Sequence, residues 1–222
     1  MKIKYLVIPI LFFSALSVCS QANEVQKQSS YITLNFISPF VGISPRWKAG
    51  IYTPIAKNVY FGTEFGYGSE WASPEAKIKL GRRYKTQRDY KSFEIAPELI
   101  VMIHPKHFVS AKYYHLSHSS SIKNGTILSQ PDELYYDFTS LDYHRTVSGF
   151  HVFYGYMDKI SQKVGFMLKI GYGGRNKTVN LSNIEGRKLS SSPNANGFAT
   201  TRDGSEESLP FAFDLKIYYT LN

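Results

Sequence analysis

The chain is predicted to be all-β, an eight-stranded antiparallel transmembrane β-barrel with short periplasmic turns and long extracellular loops, and three observations predict this. First, the last twelve residues alternate. Phe211, Phe213, Leu215, Ile217, Tyr219 and Leu221 fall on one side, and Ala212, Asp214, Lys216, Tyr218, Thr220 and Asn222 on the other. A period of two is the signature of a strand with two unlike faces, and an apolar outside over a charged inside suits a barrel set in lipid. Second, seven more segments carry the same period, and an even number of strands closes an antiparallel barrel. Third, the connections alternate between brief and long, as they do when one end of a barrel faces the periplasm and the other the cell surface.

In chain order, Lys2 and Lys4 precede an apolar run from Tyr5 to about Leu16, and Ser20-Gln21-Ala22 offers small residues for cleavage. Residues 1–22 therefore read as a secretory signal peptide and 23–222 as one barrel domain. Cys19 raises lipidation as a competing reading, against which stands the bulk of Val18 before it. No later apolar run approaches the roughly 20 residues that a membrane helix needs.

The eight strands are expected near 30–39, 46–55, 59–68, 90–103, 108–117, 143–156, 164–174 and 210–221. In the second, Trp47, Ala49, Ile51 and Ile55 point out, with Arg46, Lys48 and Tyr52 in. The third puts Val59, Phe61, Phe65 and Tyr67 out and Gly62, Glu64 and Gly66 in. The fourth puts Phe93, Ile95, Leu99, Val101 and Ile103 out and Glu94 and Glu98 in, with Pro97 as its weak point, since a closed barrel has no free edge to accommodate a missing N–H. The fifth takes its outward register from Val109, Ala111 and Tyr113. Strand six directs Phe150, Val152, Tyr154 and Tyr156 outward and Arg145 and His151 inward, and strand seven directs Val164, Phe166, Leu168 and Ile170 outward and Lys169 inward. Short connections follow strands two, four and six at 56–58, 104–107 and 157–163. Long ones, rich in Ser, Gly, Asn and charge, follow strands three, five and seven near 69–89, 118–142 and 175–209.

The same parity assembles a lumen of acids Glu64, Glu94, Glu98 and Asp214 with bases Arg46, Lys48, Lys112, Arg145, Lys169 and Lys216. Eight strands enclose little more than their own side chains, so this network is expected to plug the barrel rather than line a pore, and the protein is expected to be monomeric. The formal charge of +9 falls to +7 once Lys2 and Lys4 are removed. Export makes outer-membrane lipid and lipopolysaccharide the expected partners in place of nucleic acid, and the outer membrane of a Gram-negative bacterium the expected location. An aromatic content of 15% agrees with interfacial girdles. In the connection 69–89, Arg82, Arg83, Lys85 and Arg88 are candidate lipopolysaccharide phosphate contacts, and the polar segment 189–197 is a candidate surface epitope for an unknown ligand. His104 and His107 frame a turn without a third ligand, so no metal is expected. Gly171, Gly173 and Gly174 before Arg175 precede no helix, so neither a nucleotide nor any other cofactor is expected.

Over its mature length the chain resembles, in architecture, the small eight-stranded outer-membrane barrels of the OmpA/OmpX type, which implies fold and location rather than activity. One local motif points to chemistry. His115 and Ser117 share the outward face about 7 Å apart, the minimum pairing of a base and a nucleophile. The segment His115-Leu116-Ser117-His118-Ser119, with Asn124-Gly125 after it, resembles the His-x-Ser-Asn region of PagL-type lipid A 3-O-deacylases. That resemblance implies Ser117 as nucleophile, His115 as base, Asn124 near the oxyanion, and a downstream acid. Asp132, Glu133 and Asp142 are the candidate acids, and outward parity favours Asp142. A structural or surface-interaction role without turnover is the leading expectation, and a lipid A acyl-ester hydrolase the alternative.

Overall fold

Strand pairing closes on itself. The computed structural model describes residues 29–39, 44–70, 87–128, 134–190 and 201–221. The segment 1–22 and residues Arg82, Arg83, Lys85, Asp132 and Glu133 lie outside them. Among the described residues eleven strands occur in order: β1 (Tyr31–Asn35), β2 (Trp47–Ala56), β3 (Val59–Ser69), β4 (Gln87–His104), β5 (His107–Leu128), β6 (Tyr135–Lys159), β7 (Val164–Glu185), β8 (Lys188–Leu189), β9 (Thr201–Arg202), β10 (Gly204–Ser208) and β11 (Phe211–Thr220). From β1 to β7 each strand pairs antiparallel with the next. β7 then pairs with β11, and β11 returns to β1 with Tyr31 opposite Thr220. Eight strands thus form a ring, and no helix occurs among the described residues.

One end of the ring is closed by tight connections. Lys57-Asn58 turns β2 into β3, with Asn58 in the left-handed region at φ 61° that asparagine tolerates. Pro105-Lys106 turns β4 into β5, and at 160–163 the amides of Ile160 and Ser161 both donate to the Val164 carbonyl. Asp158 accepts hydrogen bonds from Lys106 Nζ at 2.7 Å and Tyr156 Oη at 2.8 Å. These donors hold its carboxyl down at about 2 and tie two neighbouring turns together.

Parity separates the two faces along the strands, except that Val59 and Val101, paired on the outward parity, are buried rather than exposed. Ile51, Phe61, Phe65, Phe93, Ile103, Val152, Tyr154, Ile170 and Phe213 are all exposed on the outside, while Lys48, Glu64, Glu94, Glu98, Lys112, Lys169, Asp214 and Lys216 are buried inside. Polar groups surrounded by protein and large apolar groups left uncovered reverse the usual order of a water-soluble domain.

Pro97 is accommodated without breaking the strand. The β4–β5 ladder pairs Ile95 with His115 and Glu98 with Lys112, and omits Ala96 and Pro97 between them without a change of register. On the other side Pro97 still sits opposite Thr63 of β3, so the missing N–H falls in a local gap towards β5.

The structure corrects the expected lengths of two connections. Residues 118–128, 135–142 and 175–185, read as loop, are strand: β5 and β6 pair continuously from His107–Tyr156 to Leu128–Tyr135, and β7 follows β6 as far as Ser140. The β5–β6 connection shrinks to 129–134. The reason is that the outer face becomes polar here, with Ser117, Ser119, Ser121, Asp142 and His144, while the inner face still packs Ile127, Phe138, Leu141, Tyr143 and Val179. An apolar-out test stops at that boundary, although the backbone does not. β8 pairs with β6, β9 with β5 and β10 with β7, so parts of 175–209 are strand as well.

Inside, the ring is layered. At the tight-turn end Tyr31, Tyr52, Ile100, Phe108, Met167 and Tyr218 form an aromatic floor, with the Tyr31 and Tyr52 rings stacked at 5.0 Å. Above it lies the charge layer, then a cavity. In the extension of β5–β7 a second apolar cluster follows, of Ile127, Phe138, Leu141, Tyr143 and Val179. Five inward aromatics lie across a glycine directly opposite on the next strand: Tyr52 over Gly62, Phe108 over Gly155, Phe153 over Gly171, Tyr218 over Gly165 and Phe138 over Gly125. A Cβ at Gly155 would lie 2.0 Å from Phe108 Cζ, and one at Gly62 would lie 2.2 Å from Tyr52 Cδ1. The glycines therefore leave the space that lets rings fold flat across a narrow lumen.

Candidate functional site

Alternate residues of β2, β3, β4, β5, β7 and β11 deliver the charge layer. Lys169 Nζ lies 2.5 Å from Glu98 Oε1 and 3.5 Å from Asp214, with both Lys169 and Glu98 buried. Lys216 is its hub: it pairs with Glu64, lies 3.3 Å from Asp214 and 3.6 Å from Glu98, and approaches Tyr52 Oη at 3.3 Å. Lys112 pairs with Glu64 and lies 3.6 Å from Asp214, while Arg46 pairs with Glu94, which Lys48 approaches at 3.6 Å. Neutral donors complete the acids' shells: Tyr52 Oη and Ser110 Oγ donate to Glu98 at 2.8 and 2.6 Å, and Asn35 Nδ2 donates to Asp214. Buried charges persist only when paired and hydrogen-bonded in this way.

Arg145 and His151, the remaining inward candidates, stand apart. Arg145 is 8% exposed, among the described residues donates only a long 3.5 Å bond to Ser44 Oγ, and its Nε has no partner there. His151 is 7% exposed, stacks on Tyr114 at 5.2 Å, and its Nε2 is likewise unpartnered. Both line a cavity of about 360 Å³ whose base is set by Lys112 and Asp214 of the charge layer. Arg46, Lys48 and Arg175 line it too, with Glu94 as its second acid. Five cations against two carboxylates give the walls a net charge of +3.

The outward candidates are not brought together. His115 and Ser117 share the outer face of β5, but His115 Nδ1 is 2.8 Å from Ser148 Oγ, directly opposite it on β6. Asp142 sits opposite Ser121, six residues further along and about 20 Å away. It accepts hydrogen bonds from Ser121 Oγ at 3.2 Å and Asn183 Nδ2 at 2.7 Å. Asn124, exposed at φ 53°, lies seven residues beyond Ser117, about 23 Å along the strand. Among the described residues, neither Asp142 as an acid for His115 nor Asn124 as an oxyanion donor for Ser117 lies within reach, because strand register separates residues that are close in sequence. His118, next in the motif, points inward: it is fully buried, bonded through Nδ1 to Ser44 Oγ at 2.8 Å, and flanked edge-on by Tyr90 and Tyr143.

Of the basic candidates, Arg88 is exposed on β4 opposite Ser121. His104 and His107 lie with ring centres 5.5 Å apart, and His107 Nδ1 bonds Tyr154 Oη at 2.7 Å. Reading from sequence missed Arg175, Ser44, Asn35 and Ser110 as interior groups. Arg175 was within reach, since Lys169, Gly171, Gly173 and Arg175 continue one parity. Ser44 was not, because it precedes β2 in an irregular segment. No protein-family model matches the chain, and no curated protein does.

Proposed function

We propose that the protein is an outer-membrane β-barrel with a closed, charge-plugged lumen and a surface-interaction role, its apolar belt in lipid and its extended β5–β7 end at the cell surface. The observation that carries this reading is the pairing of an exposed apolar exterior with an ion-paired interior on a ring that leaves neither edge of its eight strands open. On β4 the belt runs from Ile103 to Phe93, ten residues or about 33 Å of strand, which a typical barrel tilt reduces to roughly the 25 Å of a lipid-facing band. Its architecture is that of small barrels of the OmpA/OmpX type. The tight turns then face the periplasm, and ring closure favours a monomer. The aromatic floor beneath the salt-bridged layer argues against conduction, and exposed Arg88, with the basic segment before it, suits contact with lipopolysaccharide phosphates.

A PagL-like hydrolase receives less support, since Asp142 and Asn124 lie about 20 Å or more along the strand direction from the positions where they would act and His115 bonds Ser148. Two measurements test the reading together. Purified protein in planar bilayers is expected to give no stepwise conductance. Lipid A from cells making equal membrane-located amounts of wild type or Ser117→Ala is expected to give identical mass spectra. Reproducible channels, or loss of one acyl chain in the wild type alone, would overturn it.

A further inference from the structure

The fold leaves Arg145 with no carboxylate among the described residues, although it is 8% exposed and its Nε lacks any partner. An unneutralised guanidinium at such a depth is expensive, and a simple apolar wall at this position would avoid the cost. Arg175, from the adjacent strand, is also without a carboxylate partner there, its Nε being held instead by Ser208 Oγ at 2.9 Å. That bond fixes the stem and leaves the terminal amino groups for another acceptor. His151 adds a second unpartnered nitrogen, and its stacked ring with Tyr114 makes a flat aromatic wall. All four side chains line one cavity of about 360 Å³ with a net wall charge of +3.

We propose that this cavity binds a small phosphate monoester, with the phosphoryl group held between Arg145 and Arg175 and an organic ring of sugar size laid against Tyr114 and His151. The arginine fork matches the oxygens of a phosphoryl group and carries permanent charge. A doubly charged anion offsets most of the excess on the walls, whereas a single carboxylate offsets a third of it. The volume exceeds what a bare phosphate fills and is below that of a typical drug-sized pocket's upper range. The ligand is a soluble one, because the strands of the ring stand between the cavity and any lipid headgroup outside. The proposal names the partner of the surface-interaction reading and rests on it only in that the ligand arrives from the side of the long connections.

The test uses the full chain folded in maltoside micelles, with folding checked by heat-dependent gel mobility. Arginine Nε–Hε resonances are followed while glucose 6-phosphate, inorganic phosphate or glucose is added. Saturable shifts of the Arg145 and Arg175 resonances are expected with glucose 6-phosphate, weaker ones with inorganic phosphate, and none with glucose. Affinity should fall at least about tenfold in Arg145→Gln with Arg175→Gln, by less in Arg145→Lys, and not at all in Lys57→Gln, exposed in the turn at the opposite end. Absence of saturable shifts in folded protein, or equal affinity in the double variant, would overturn the site while leaving the closed-barrel reading intact. Shifts that appear only in nanodiscs of anionic phospholipid, without soluble ligand, would also overturn it by assigning the phosphate to lipid. Conduction or mislocalisation bears on the barrel reading alone.

Discussion

Lys216 shows how much the interior depends on single side chains. It is fully buried and reaches Glu64, Glu98, Asp214 and Tyr52 at once, so its removal strips charge compensation from three carboxylates. Breaking a buried ion pair by deleting one partner costs about 3–5 kcal/mol, mostly from the charge left behind. Lys216→Met is therefore expected to lower unfolding stability by about that amount, measured by urea titration in lipid vesicles. Adding Glu64→Gln should recover part of the loss, because Lys112 remains to serve Asp214 and one orphaned acid is gone. Strictly additive losses in this pair would show that the layer acts as independent contacts rather than a network.

The long hairpins carry the lesson about what one sequence reveals. The outward and inward faces of β2, β3, β4, β6, β7 and β11 follow directly from alternation, since Phe61, Phe65, Glu64 and Lys169 each declare their side. The ends of β5, β6 and β7 do not, because polarity of the outer face at Ser119, Asp142 and Asn176 mimics a loop while Leu141, Tyr143 and Val179 keep the inner face packed. Cross-strand register is invisible too, so neither the pairing of His115 with Ser148 nor the fit of Phe108 over Gly155 could be read in advance. Two expectations follow for these elements. Gly155→Ala should cost about 1–3 kcal/mol by overpacking against Phe108, measured by the same urea titration, with Phe108→Leu restoring part of it. Leu141→Asp should open the β5–β6 extension locally, seen as new tryptic cleavage after Lys123 on intact cells while heat-dependent gel mobility stays normal. Cleavage of the wild type at Lys123 at the same rate would show that the extension is not packed.

Taken as one object, the ring has an exterior that water would not favour and an interior that lipid would not. The same strands could in principle wrap a soluble barrel, in which exposed Phe65, Tyr67, Phe93 and Ile95 would be a large uncovered apolar patch of the kind that drives association. The two settings respond oppositely to a charge on the belt. Phe65 lies on the outer face of β3 between Ala49 and Ile95. In a bilayer, Phe65→Arg is expected to cost about 2–4 kcal/mol near the midplane, whereas in a soluble barrel it would raise solubility and leave stability almost unchanged. Ser119→Arg, exposed on β5 beyond the belt, should be neutral in either setting. Urea titrations in lipid vesicles therefore discriminate: a loss confined to Phe65→Arg places the belt in the hydrocarbon, while equal stability of wild type and both variants would remove the membrane from the account. The depth series Phe61→Arg, Phe65→Arg and Tyr67→Arg extends the test, because only a bilayer makes the cost depend on height along the strand, falling towards zero at the end nearer the interface.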